Sequence, residues 1–151
     1  IETAKNRRTG RKMAVLFCDV DNFKAINDTR GHHAGDEVLR QIAARMQKCL
    51  RSEEDLAARL GGDELLVVLG GVRDLDDAMA VAEKLRRSVA EPMALPGGPV
   101  KATVSIGVTL ANPDESVDSM VARADIALYN AKQTGRNQVI SISTPEKFSE
   151  V

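Results

Sequence analysis

The stretch MAVLFCDV, from Met13 to Val20, decides the fold of this chain of 151 residues. It is a nearly continuous apolar run that stops at acidic residues, as expected of a strand buried on both faces of a sheet. Such a strand needs other layers around it, so a sheet covered by helices is predicted. The carboxyl end of the run, where Asp19 and Asp21 flank Val20, is therefore a candidate site.

Helix and strand patterns alternate after this strand. Asp21 and Asn22 can cap a short helix around Phe23 to Asn27, and a longer helix with one apolar face follows the GHHAGDE stretch. A hairpin is predicted around Gly61-Gly62-Asp63-Glu64, because glycines supply the positive backbone dihedral angles of tight turns. The other predicted elements are strands at 56–60, 65–69, 100–110 and 138–142, a helix at 75–90, and a helix that Ser116 opens and Gly135 closes.

This order of elements predicts an α/β (α+β) fold with a mixed, mostly antiparallel sheet flanked by helices. The length is that of one domain, so residues 1–151 are expected to fold as a unit, with a polar tail or linker at 143–151.

Charge and composition narrow the function. With 21 basic and 22 acidic residues, the net charge of -1 gives no reason to expect nucleic acid or an anionic membrane as partner. Cys18 and Cys49 lie in apolar contexts and are expected to be reduced core residues. No apolar run approaches the roughly 20 residues that span a bilayer, so a cytoplasmic location is predicted.

Four acids carry the first chemical hypothesis. Asp19 and Asp21 are expected on one side of the sheet, and the hairpin acids Asp63 and Glu64 can lie beside them. Converging carboxylates repel unless a cation neutralises them, and oxygen ligands of this kind suit Mg²⁺ or Mn²⁺. The alternative is that Asp21 is only a helix cap and the hairpin acids are solvated turn residues.

Two further pairs are ambiguous when taken alone. Lys132 and Arg136 are predicted one helical turn apart at the end of the last helix. They can clamp a triphosphate, or they can only complement the helix C-terminus electrostatically. Asn27 and Asp36 can cap helices or turns, or hydrogen-bond guanine, whose N–H groups a carboxylate accepts.

The segments DVDNFKAINDTRGHHAGDEVL, ARLGGDELLVVL and ADIALYNAKQTGRNQV, taken together, resemble the GGDEF family of diguanylate cyclases. The resemblance extends over about residues 9–142. It implies a sheet of the nucleotide-cyclase or palm type and a role in bacterial signalling, in which two GTP molecules are condensed into cyclic di-GMP with release of two pyrophosphates.

The resemblance also implies roles for individual residues. Asp19, the Val20 carbonyl, Asp63 and Glu64 match the metal-binding positions, and Glu64 is an alternative general base. Phe23, Asn27 and Asp36 match nucleotide-binding positions, Gly61 and Gly62 let the hairpin approach the nucleotide, and Lys132 and Arg136 match the pair that contacts the phosphates.

The partners follow from the same resemblance. Two Mg²⁺ or Mn²⁺ ions are expected in each half-site, and a homodimer is expected to bring two GTP-loaded half-sites together. An upstream sensor or a further downstream domain is expected in the full-length protein, because residues 1–10 resemble the remnant of a longer N-terminal segment.

Two positions depart from the family pattern. Leu65 stands where the signature has Phe, and Ser52 stands where a product-inhibition motif has Arg, although Asp55 keeps the acidic position and Arg51 lies one residue away. One alternative is therefore a catalytically inactive GTP-binding module that regulates a larger cyclic di-GMP signalling protein. A cyclase acting within a single nucleotide is a further alternative.

Overall fold

The computed structural model of the chain describes residues 10–51 and 53–142. The elements have the predicted order: β1 Lys12–Val20, α1 Phe23–Arg30, α2 His32–Cys49, β2 Leu56–Gly61, β3 Glu64–Val72, α3 Leu75–Val89, β4 Val104–Leu110, α4 Val117–Gln133 and β5 Val139–Ser141. Ser52, the tail expected at 143–151 and all but Gly10 of the remnant expected at 1–10 lie outside the described residues.

The five strands form one sheet in the order β2-β3-β1-β4-β5. Only β4 and β5 pair in parallel, and the other neighbours are antiparallel. The prediction of a mixed, mostly antiparallel sheet is thus confirmed. In β1, the central strand, Asp19 pairs with Glu64 of β3 on one side and with Ser105 of β4 on the other.

Helices cover both faces of β1, as its apolar sequence predicted. On one face, Leu16 and Cys18 belong to the larger core, which includes apolar residues of α2 and α3. On the other face, Val15 and Phe17 pack with residues of α4. Cys18 and Cys49 are both buried and free, and burial, with the nearby Asp19 charge, raises the pKa of the Cys18 thiol to about 12.

The fourth strand begins later than predicted. It starts at Val104, whereas Val100 forms an isolated bridge with Met93. The intervening Thr103 accepts a hydrogen bond at its carbonyl from the Asp21 N–H at 2.8 Å. The segment 100–103 therefore pairs with Met93 at its start and accepts a hydrogen bond from Asp21, next to the end of β1, at its other end. In the part of the chain that the structure describes, no helix is long and apolar enough to cross a membrane.

Candidate active site

A cavity of about 220 Å³ lies at the carboxyl end of β1. The end of β1, the β2–β3 turn, the start of α1 and the end of α4 enclose it. Its lining residues are Asp19, Val20, Asp21, Asn22, Phe23, Lys24, Asp63, Lys132 and Arg136. Six of the predicted site residues therefore meet there: Asp19, Val20, Phe23, Asp63, Lys132 and Arg136.

Asp19 is the most perturbed group in this cavity. The residue is only 6 % exposed, and its Oδ2 accepts a hydrogen bond from Lys132 Nζ. Burial raises the pKa of the Asp19 carboxyl to about 6; Asp63 adds to this rise and Lys132 opposes it. The other oxygen, Oδ1, is buried and has no hydrogen-bond partner within residues 10–51 and 53–142. A buried carboxylate oxygen left in this state is suited to a cation.

The hairpin brings its acids to Asp19 through backbone pairing. Glu64 lies directly opposite Asp19 in the ladder between β1 and β3, and the Val20 N–H donates to the Asp63 carbonyl at 3.1 Å. Gly62, with φ of 53°, supplies the left-handed backbone of the turn. Leu65, which stands where the family signature has Phe, is 2 % exposed and packs in the core, and the nearby Asp63 still lines the cavity.

The residues that line the cavity offer some of the oxygen ligands that a divalent cation needs. Asp19 and Asp63 line the cavity with Val20, whereas Glu64 is not among its lining residues. Among the described residues, no three His, Cys, Asp or Glu side chains stand close enough together to hold a metal ion. Asp19, Asp63 and the Val20 carbonyl are candidate oxygen ligands in the cavity. Asp21 also lines it, but both of its carboxylate oxygens accept hydrogen bonds from the protein, so phosphate oxygens must complete the shell.

Asp21 differs from its predicted role as a helix cap. The N-cap of α1 is Asn22, which has no side-chain capping bond. The Asp21 carboxylate instead accepts hydrogen bonds from Thr103 Oγ1 at 2.7 Å, from Ser105 Oγ at 2.6 Å and from the Asn137 N–H at 2.9 Å. Sequence reasoning missed these contacts, although the alternating hydroxyl residues in ATVSIGV placed two polar side chains on one face of an apolar strand.

The two basic residues of the cavity, Lys132 and Arg136, lie on different kinds of backbone. Lys132 lies in the last turn of α4, as predicted, but α4 ends at Gln133, so the placement of Arg136 on that helix is wrong. Gly135, with φ of 129°, lets the chain leave the helical path, and Arg136 follows in a left-handed conformation with φ of 60°. The side chains still converge, because both residues line the cavity.

The predicted guanine pair lies on neighbouring helices. Asn27 of α1 has a buried Oδ1 without a hydrogen-bond partner in the described part of the chain. It packs so closely on Gly35 of α2 that a Cβ there would lie 1.8 Å from this oxygen. Asp36 is exposed one residue further along α2. Asn27 therefore has an unused acceptor beside the helix that carries Asp36.

Asp55, which matches the acid of the product-inhibition motif, forms hydrogen bonds within the fold. The Asp55 side chain is fully buried and accepts from the Arg51 N–H at 2.9 Å, from Arg51 Nε at 3.2 Å and from the Gly70 N–H at 3.1 Å. The displaced arginine thus reaches the acid. Both oxygens of Asp55 already have protein partners, and Ser52 lies outside the described residues.

At the end of the central strand, an acid with an oxygen that has no partner in the described residues lies beside a second acid, a lysine and an arginine, an arrangement suited to a polyphosphate with a divalent cation. The chain belongs to the family described as diguanylate cyclase, GGDEF domain, whose family model matches residues 1–138. Its mixed sheet with flanking helices is the palm-like fold of that family.

Three relatives illustrate the similarity. Diguanylate cyclase A of Treponema denticola is 48 % identical over 129 residues, which cover 84 % of this chain and 34 % of that protein. The GGDEF domain of PA1120 from Pseudomonas aeruginosa has a TM-score of 0.85 at 37 % identity, covering 93 % of this chain and 88 % of that one. The GGDEF domain of DgcB from Caulobacter crescentus, solved in complex with c-di-GMP, has a TM-score of 0.82 at 32 % identity, covering 91 % and 82 %. The chain spans about a third of the length of the first of these relatives.

Proposed function

We propose that this chain is the catalytic domain of a diguanylate cyclase, which condenses two GTP molecules into cyclic di-GMP and releases two pyrophosphates. The observation that carries this proposal is the buried Oδ1 of Asp19, which has no hydrogen-bond partner within residues 10–51 and 53–142, in a cavity that Asp63, Lys132 and Arg136 also line. Family membership supports the same chemistry.

The residues of the cavity divide into two groups. Asp19, Asp63 and the Val20 carbonyl would hold divalent cations, with Glu64 as a further ligand or a base beside Asp19. A divalent cation bound there supplies positive charge to the α-phosphate and lowers the pKa of the attacking hydroxyl. Lys132 and Arg136 neutralise the β- and γ-phosphates, while Asn27 and Asp36 hydrogen-bond guanine.

Lys132 has two alternative partners in this scheme. Its ammonium group contacts Asp19 Oδ2 in the structure. To reach a phosphate it must leave that oxygen, and the acid then needs another positive charge. When the site is loaded with nucleotide, Lys132 would therefore leave Asp19, and a divalent cation held by Asp19 and Asp63 would supply the positive charge that the carboxylate then lacks.

The reaction is two successive transfers. In each, a ribose 3′-oxygen forms a bond to the α-phosphorus of the other GTP, the bond from that phosphorus to the oxygen of pyrophosphate breaks, and the hydroxyl proton passes to a base, for which Glu64 is the candidate, or to water. If each domain holds one GTP, two domains must meet face to face about a two-fold axis. Turnover per domain is therefore expected to rise with protein concentration.

Chromatography of the products tests this proposal. With Mg²⁺ and GTP, the chain should give the linear dinucleotide and then cyclic di-GMP. Asp63→Ala should lower turnover at least about 100-fold, since a group that stabilises transition-state charge is lost. Asp76→Ala, which removes an exposed acid of α3, should leave turnover unchanged.

Each rival function predicts a different product. GTP binding by a dimeric form without any dinucleotide would favour an inactive regulatory module. A cyclic mononucleotide would identify a cyclase that acts within one nucleotide. Normal turnover of the Asp63 variant would show that the assignment of this acid is wrong.

A further inference from the structure

The Asp21 carboxylate joins three segments that are distant in sequence. It lies just after β1, and its hydroxyl partners Thr103 and Ser105 lie on and beside β4. Its third partner is the backbone N–H of Asn137, in the turn between α4 and β5. Asp21 is 6 % exposed, so these contacts take place largely away from water.

The turn that Asp21 holds has an unfavourable backbone. Arg136 and Asn137 are successive non-glycine residues with φ of 60° and 46°. Left-handed conformations of this kind persist where surrounding contacts determine them. The contacts are the Arg136 N–H to the Ala131 carbonyl at 2.9 Å, Arg86 Nη1 to Asn137 Oδ1 at 2.8 Å, and the Asn137 N–H to Asp21.

Of these three contacts, the one with Asp21 involves a partner that lines the cavity. Asp21 and Arg136 both line the cavity, and the Asp21 carboxylate accepts a hydrogen bond from the peptide N–H that directly follows Arg136. Fixing that peptide group fixes the direction in which the Arg136 side chain leaves the backbone. A hydrogen bond to a carboxylate is stronger than one between neutral groups, which suits it to hold a strained turn.

We propose that Asp21 is a positioning residue that places Arg136 for phosphate binding by holding the Asn137 N–H. The identity of the substrate in this proposal rests on the proposed function. The claim that Asp21 holds the turn and thereby orients Arg136 does not depend on that function. Both oxygens of Asp21 already accept hydrogen bonds from the protein, Oδ1 from Ser105 and Oδ2 from Thr103 and Asn137. This distinguishes Asp21 from Asp19, whose Oδ1 has no partner in the described residues.

A double-mutant cycle between Asp21 and Arg136 tests the proposal. The affinity for inorganic tripolyphosphate with Mg²⁺ is measured by calorimetry for the wild type, Asp21→Asn, Arg136→Ala and the double variant. Asp21→Asn should weaken binding about 10-fold, the scale of one lost charge-assisted hydrogen bond. It should cause less than about a two-fold further loss when Arg136 is already Ala, because the two residues act as a unit.

Amide hydrogen exchange gives a second readout that does not depend on ligand. In the wild type, the Asn137 amide should exchange at least about 10-fold more slowly than neighbouring exposed amides, because it is hydrogen-bonded. This protection should be lost in Asp21→Ala, which removes both acceptor oxygens, and be reduced in Asp21→Asn, whose amide oxygen is only a neutral acceptor. Ser105→Ala is the matched control, since it removes one partner of Asp21 and leaves the Asn137 contact, and it should keep both the protection and most of the affinity.

The outcomes separate the two proposals. An unprotected Asn137 amide in the wild type overturns the positioning role, even if Asp21→Asn fails to fold. Equal loss of tripolyphosphate affinity with and without Arg136 overturns it as well. If the double-mutant cycle and the hydrogen exchange give the expected results but GTP yields no dinucleotide, the positioning role of Asp21 is supported and the proposed cyclase function is wrong.

Discussion

Two buried oxygen atoms, Asp19 Oδ1 and Asn27 Oδ1, have no hydrogen-bond partner among the residues that the structure describes. An unsatisfied buried polar atom is unfavourable for folding, and Asp19 Oδ1 belongs to a residue that lines the cavity, where a ligand can satisfy it. Asp19 carries the higher electrostatic cost, because burial opposes its ionisation. Sequence reasoning identified Asp19 from its place at the end of the buried strand, whereas Asn27 stayed ambiguous until the family resemblance was considered. It had no means of showing that one oxygen of each residue lacks a partner in the described part of the chain.

Replacement of Asp19 by Asn should stabilise the fold at alkaline pH. The pKa of Asp19 is raised from 3.8 to about 6, so the folded state disfavours the carboxylate and loses stability as pH rises through that interval. Asp19→Asn should raise the free energy of unfolding at pH 8 by about 1 to 3 kcal/mol, with the gain disappearing below about pH 4. Urea unfolding at the two pH values measures this. A variant less stable than the wild type at pH 8 would mean that the Lys132 contact outweighs the cost of burial.

Close approach between α1 and α2 depends on a glycine in the second helix. Gly35 leaves room for the Asn27 side chain, and Phe23 Cζ would lie 3.2 Å from a Cβ at this position. The sequence predicted both helices, but a residue in a helical pattern does not reveal what its missing side chain makes room for. The packing contact becomes visible only when the helices are placed together.

Gly35→Ala should impair recognition of the base without unfolding the chain. The new methyl group must displace the Asn27 amide, while alanine gains up to about 1 kcal/mol of helix propensity that offsets part of the crowding. We expect GTP affinity to fall about 10-fold, as for one lost hydrogen bond to guanine, and tripolyphosphate affinity to stay constant. Calorimetry with both ligands measures the two effects. An equal loss of affinity for GTP and for tripolyphosphate would show that the substitution does not act through guanine recognition.

For the whole molecule, local patterns predicted the order of elements and the mixed sheet, because β1 reads as buried on both faces and the two glycines mark a hairpin. The path of residues 134–138 was missed for a physical reason. Its strained backbone is held by a hydrogen bond from Asn137 to Asp21, a partner 116 residues earlier. Gly135 marks the end of the helix locally, but the positive φ of Arg136 and Asn137 depends on an acceptor that the assembled sheet supplies.

The assembled sheet also brings Asp19 of β1 and Asp63 of the hairpin to one cavity, and the proposed synthesis of cyclic di-GMP requires them to share a cation with a nucleotide. Anomalous scattering from Mn²⁺ in crystals grown with a non-reactive GTP analogue measures this directly. A peak in contact with Asp19, Asp63 and the analogue's phosphates is expected, with Lys132 released from Asp19 onto a phosphate. Mn²⁺ bound to the phosphates alone, with Lys132 still on Asp19, would contradict it.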